Sequence, residues 1–194
     1  MKLKKNTILA FALKVPKHHL LKLFSLVLFL MSCDSQEGDF EKQYFDLAGT
    51  LNLQLEHLKN KSAEKTWEFN GRTETKVVND LNWKKELELF YNADINKKAF
   101  LKSYTTSVNN DTTFHTLRNG EKLWVKTMQI IKNKKNEPIE IAIECEENNY
   151  INETQQSLNI LLKDNKIETY KIINHQKLLF GKLKKTTISS KIKN

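Results

Sequence analysis

From Tyr104 onward the chain is written as short β runs separated by polar turns, and this pattern limits the fold more than any other feature. Runs near 104–108, 112–118, 122–132, 138–147, 156–163, 166–175 and 178–185 are divided by turn residues such as Asn109-Asn110-Asp111 and Asn119-Gly120. Connections this short pair each strand antiparallel with its neighbour, because a parallel crossover needs a dozen or more residues. The segment "IEIAIECEE" alternates most clearly. Ile139, Ile141, Ile143 and Cys145 point to one side, and Glu140, Ala142, Glu144 and Glu146 to the other. Such a sheet buries one face and leaves the other largely wet.

The residues ahead of these runs carry a different period. In "FEKQYFDLAGTLNLQLEHLKNK", Phe40, Tyr44, Leu47, Leu51, Leu55 and Leu58 recur every three or four residues, which predicts one helix with an apolar stripe. Asp39 is placed to cap it, and Gly49 within it marks a close crossing. Next, "KTWEFNGRTETKVV" predicts a hairpin around Asn70-Gly71, a pair that accepts the two positive φ angles of a tight turn. Helical spacing returns through Trp83, Leu87 and Phe90, and Asp94 is placed to cap a further short helix toward Phe100 and Leu101. The predicted class is α+β: N-terminal helices packed on a large, twisted antiparallel meander. The Lys-rich end "GKLKKTTISSKIKN" alternates at first and is then expected to fray.

Composition narrows the function. The chain has 194 residues, long enough for one core of useful size, with 2 Pro, 5 Gly and a mean hydropathy of −0.57. Its net charge of +9 first suggests nucleic acid or an anionic membrane. Residues 1–32 contain six lysines and residues 171–194 seven, with no acid in either, so residues 33–170 carry −4. The basic charge sits at the ends, no aromatic ladder interleaves it, and nucleic acid is not an expected partner. The terminal lysines fit contact with anionic lipid or lipopolysaccharide, or the guarding of an exposed strand edge.

The N-terminus is basic through Lys22 and continues as "LFSLVLFLMS", about half of the ~20 apolar residues that a membrane-crossing helix requires. A positive segment followed by a short apolar one has the layout of a secretory signal. It ends in Leu30-Met31-Ser32-Cys33, which resembles the lipobox of bacterial lipoprotein signal peptides over roughly residues 14–34. The resemblance implies cleavage between Ser32 and Cys33. It also implies a covalent diacylglycerol on Cys33 and an acyl chain such as palmitate on its new amino group. Two or more chains give stable membrane residence where one holds only marginally. The competing reading is an ordinary cleaved signal in which Cys33 is incidental.

The chain then divides into a signal peptide (1–32), an acidic tether (33–39) and one α+β domain (40–194). Asp34, Glu37 and Asp39 are candidates for sorting between membranes, or a plain solvated spacer. The implied location is a bacterial cell envelope, at the outer membrane on its periplasmic or surface side. The stretch "ADINKKAFLKSY" resembles small uncharacterised envelope lipoproteins, a likeness that implies no activity. The expected layout is similar in outline to outer-membrane lipoprotein carriers, although no motif matches theirs.

Candidate chemistry is sparse. Cys145 lies on the aliphatic side of its strand, where a thiol is a small inert hydrophobe, and a lipidated Cys33 leaves it no disulfide partner. His57, His115 and His175 have no metal-type spacing, and no phosphate-binding or nucleophile motif occurs. No catalytic residue, metal or cofactor other than the lipid on Cys33 is therefore expected. The predicted function is a lipid-anchored, non-catalytic envelope protein that binds a protein partner or an apolar ligand. The alternatives are a hydrolase-type enzyme built on His115, His175 and carboxylates, and an inhibitor or immunity-type lipoprotein.

Overall fold

A computed structural model describes residues 41–193. The leader, the lipobox, Cys33, the acidic tether and Asp39 lie outside the described residues. Helix α1 (Leu47–Leu58) is followed by strands β1 (Ser62–Phe69) and β2 (Arg72–Val78), then by two short helices, α2 (Trp83–Glu86) and α3 (Glu88–Asn92). A 3₁₀ turn at Lys98–Phe100 leads into β3 (Tyr104–Asn109), β4 (Thr112–Leu117), β5 (Val125–Lys132) and β6 (Pro138–Asn148). The chain ends with β7 (Asn152–Lys163), β8 (Lys166–Leu178) and β9 (Lys184–Lys193).

The nine strands form one sheet in the order β2-β1-β9-β8-β7-β6-β5-β4-β3, and every pairing is antiparallel. Strands β3 to β8 form the meander that the turn spacing predicts, and β9 continues it from residues mostly beyond the last expected run. The early hairpin β1–β2 then adds itself to the far side of β9. Its Asn70-Gly71 turn has φ of 49° and 80°, so both residues occupy the left-handed region that this pair tolerates.

Cross-strand partners share a face, so the ladders show what is buried. One row runs His115, Met128, Ile143, Leu158, Ile172, Ile188 and Trp67 from β4 to β1. The next runs Ile130, Ile141, Ile160, Tyr170, Ser190 and Lys65. The apolar residues from Met128 to Ile172 in the first row and from Ile130 to Tyr170 in the second pack with Leu47, Leu51, Leu87, Phe90 and Ile95 in a single apolar core. The opposite face is polar. It carries Glu140, Glu144, Ser157, Asn159, Lys171, Ser189 and Thr66, with Ser157 Oγ donating to Glu144 at 2.6 Å and Asn159 Nδ2 to Glu140 at 2.7 Å.

Several local expectations are corrected. The helix expected from Phe40 begins at Leu47, because Asp46 accepts the Gly49 N–H at 2.8 Å and closes the N-terminus there. Gly49 marks no crossing: a Cβ at that position would collide with the Asp46 carboxylate, so the glycine makes room for the cap. Asp94 caps no helix and instead accepts the Asn96 N–H at 3.0 Å in a tight turn.

The strand expected at 178–185 is a turn, and the strand expected to fray is Lys184–Lys193. Leu178-Leu179-Phe180 is apolar without alternating. Ile188, Ser190 and Ile192 do alternate, and they fall on the buried side between β8 and β1. The C-terminal lysines therefore guard no sheet edge, since β9 has a partner on each side.

Candidate functional site

Two polar clusters interrupt the apolar face, and each fastens an N-terminal segment to the sheet. The first centres on Glu86, the last residue of α2. Its Oε1 accepts from both Lys65 Nζ on β1 and the Tyr170 hydroxyl on β8. The ion-paired side chains expose only 10% (Lys65) and 17% (Glu86) of their surface, so the pair is largely desolvated. Lys65 also lies 5.3 Å from the Trp67 ring centroid. The Tyr170 ring meets Phe90 edge-on at 6.1 Å, and burial followed by the Glu86 carboxylate raises its phenol far above the ordinary range. The phenol is a fixed hydrogen-bond donor and does not serve as a base. Ser190, opposite both Tyr170 and Lys65, is buried beside them, and the buried Trp83 indole N–H has no hydrogen-bond partner among the described residues.

The second cluster is neutral. His115 is 3% exposed, and its Nε2 accepts the Phe45 N–H at 3.1 Å. A nitrogen that accepts carries no proton, so the imidazole hydrogen sits on Nδ1 and is donated to Thr106 Oγ1 at 2.9 Å. Burial, and then the charge of Lys132, hold its pKa below the ordinary 6.5, which keeps the ring neutral. Around it, the Tyr44 hydroxyl donates to the Leu101 carbonyl at 2.8 Å. Asn96 accepts the Tyr44 N–H at 3.0 Å and donates to the Phe45 carbonyl at 2.8 Å. Tyr44 and Phe45 are thus clamped onto the start of β3 and onto β4.

The other histidines lie elsewhere. His175, on β8, pairs with Gln155 and Lys185 on the sheet face opposite His115 and four strands away. His115 and His175 are therefore not brought together. His57 is exposed near the end of α1. There it joins Lys61, Lys163, Lys166, Asp164 and Glu168 around a surface cavity of about 340 Å³. Cys145 is 2% exposed, and desolvation, then Glu144, push its thiol up to about 12, where a thiolate does not form at neutral pH. Among the described residues, no three His, Cys, Asp or Glu side chains are grouped to hold a metal, and no helix is long and apolar enough to cross a membrane.

Sequence reasoning missed Lys65, Gln54 and Asn96, although two of them leave a trace. Lys65 occupies a buried position in the alternation Ala63-Lys65-Trp67, and Gln54 sits on the α1 stripe between Leu51 and Leu58. Gln54 donates to the Asn165 carbonyl and accepts the Ile167 N–H, both at 2.9 Å, which ties α1 to the β7–β8 turn. A polar residue in register with apolar ones is the legible signal, although its partner is not.

No known protein family matches the chain, and neither a curated protein nor a solved structure matches it.

Proposed function

We propose that this is a lipid-anchored, non-catalytic protein of a bacterial envelope, which holds a protein partner close to the membrane. The anchor is assigned to Cys33 on the strength of the Leu30-Met31-Ser32-Cys33 sequence, with Asp34, Glu37 and Asp39 in a spacer that takes part in sorting to the outer membrane. The helices act as a cover over the apolar side of the sheet, and binding falls to the exposed surfaces.

One observation carries the choice of a protein partner over an apolar ligand. The space between helices and sheet is occupied by Leu47, Leu51, Leu87, Phe90, Met128, Ile130, Ile141, Ile143, Leu158 and Ile160, each less than 2% exposed. An apolar ligand needs a preformed cavity of some hundreds of Å³, and a close-packed interior has no such room. An inhibitor or immunity role is a special case of this reading, in which the partner is an enzyme or a toxin.

The test has two arms. Metabolic labelling with palmitate should mark the full-length chain and be lost in Cys33→Ser; an unlabelled wild-type chain rejects the anchor. Native mass spectrometry of the protein extracted from membranes should show a bound polypeptide and no stoichiometric lipid; a co-purifying lipid rejects the protein-partner reading.

A further inference from the structure

One end of the sheet carries an apolar tip that the fold leaves uncovered. The β6–β7 and β8–β9 turns lie side by side there: Asn152 pairs with Leu178, and the Leu179 N–H donates to the Ile151 carbonyl at 3.1 Å. The β8–β9 turn is tightened by the Gly181 N–H donating to the Leu178 carbonyl at 2.9 Å, which lifts Phe180 to its apex. Phe180 is 98% exposed and Tyr150 87%, and Ile151, Leu179 and Leu183 each expose half or more of their surface. Single exposed apolar residues are ordinary, whereas several on two adjoining turns form a patch that water disfavours.

The charge around the tip favours one occupant. "KLLFGKLKK", residues 177–185, places Lys177, Lys182, Lys184 and Lys185 beside the apolar residues, and no acid occurs from Thr169 to Asn194. The nearest acids in the ladder are Glu153, opposite Lys177, and Glu147, two residues before the Asn149 that opens the β6–β7 turn. An aromatic apex flanked in sequence by lysines on both sides complements a bilayer whose surface is anionic and whose interior, just below, is apolar. The chain also enters the fold on this half of the sheet, where Tyr44 is bound to Leu101 and to the start of β3.

We propose that the Phe180 tip is a membrane-docking element that inserts its apolar apex into an anionic phospholipid surface while the surrounding lysines contact the headgroups. It goes beyond the anchor, since it fixes which end of the domain faces the bilayer and acts without the acyl chains. The opposite end, with the β5–β6 and β7–β8 turns, then points away from the membrane.

The experiment uses the full-length chain with Cys33→Ser, so that no acyl group contributes, and with Phe180→Cys carrying an environment-sensitive fluorophore. Cys145 is buried and does not compete for the label. On phosphatidylcholine vesicles containing phosphatidylglycerol the emission should shift to the blue, and added salt should weaken the shift. The same label at Lys134→Cys, on the opposite end, should not respond. Reversing Lys182, Lys184 and Lys185 to Glu should lower vesicle partitioning by about tenfold or more, with unchanged thermal unfolding. An equal response at both labelled positions, a response independent of phosphatidylglycerol, or a shift that grows with protein concentration in the absence of vesicles would overturn the proposal. The last of these would mean that the tip is covered by a second copy of the chain.

Discussion

The two polar clusters do the same mechanical job with opposite chemistry. Both tie a segment from the N-terminal half to the buried face of the sheet. The Lys65–Glu86–Tyr170 cluster uses a desolvated ion pair, and the His115–Phe45–Asn96 cluster uses neutral hydrogen bonds. A buried ion pair gives little net stability when intact and is very costly to break in half, because the remaining charge has no water. A neutral hydrogen bond costs less to break, yet one built on histidine responds to pH. The first fastening therefore demands that its partners stay together, and the second is sensitive to its surroundings.

The sharpest way to break this contrast is to remove one charge. Glu86→Ala should destabilise the domain by about 3–5 kcal/mol in denaturant unfolding, because Lys65 and the Tyr170 hydroxyl lose their common acceptor. Removing both charges in Lys65→Met with Glu86→Leu should restore most of that loss. If the double variant is as unstable as the single one, the cost lies in packing, and the ionic description is wrong.

At the neutral cluster the effect is smaller. His115→Phe leaves the Phe45 N–H without an acceptor and should cost about 1–3 kcal/mol. Amide exchange at Phe45 should accelerate, while exchange in β8 should stay slow. Uniform acceleration across the sheet would show that His115 fastens no particular segment.

A pH titration separates the clusters by mechanism. The folded state holds the His115 pKa below the ordinary 6.5, so the unfolded chain binds more protons just beneath that value. The stability that His115 contributes is complete above 6.5 and is lost as pH falls from there toward its folded pKa. Denaturation midpoints measured between about pH 7.5 and pH 5 should decline, and His115→Gln should flatten the decline. An identical slope in that variant would assign it to other groups.

The smallest effect is expected at the start of α1. Gly49→Ala drives a methyl into the Asp46 carboxylate and should cost about 1 kcal/mol through loss of the cap. Asp46→Ala should cost a similar amount, and the two changes should not add, since both remove the same hydrogen bond.

The comparison also explains what the sequence reveals. The meander from Tyr104 is legible because alternation and Asn- or Gly-bearing turns are local, and the same holds for the Asn70-Gly71 hairpin. The place of that hairpin beside β9 is not legible. It joins residues more than a hundred positions apart through rows such as Trp67–Ile188 and Ala63–Ile192, and no local signal specifies a long-range pairing. The polar clusters are half legible for the same reason. Lys65 is out of pattern, but Glu86 looks like any surface carboxylate until α2 brings it over β1 and β8. The apolar run Leu178-Leu179-Phe180 misleads in the other direction, since hydrophobicity alone cannot distinguish a buried strand from an exposed tip.

The position of β9 between β1 and β8 also sets the order in which the sheet can be completed. The hairpin made first finds its neighbour only when the last strand exists, so the most distant contacts in the chain close the structure. Pairing over such separations is slow, because the entropy of closing a long loop must be met before any contact repays it. A chain built this way stays open along one border of the sheet until Lys184–Lys193 has been made. Under the envelope location proposed above, that delay suits a polypeptide that is threaded through a membrane before it folds.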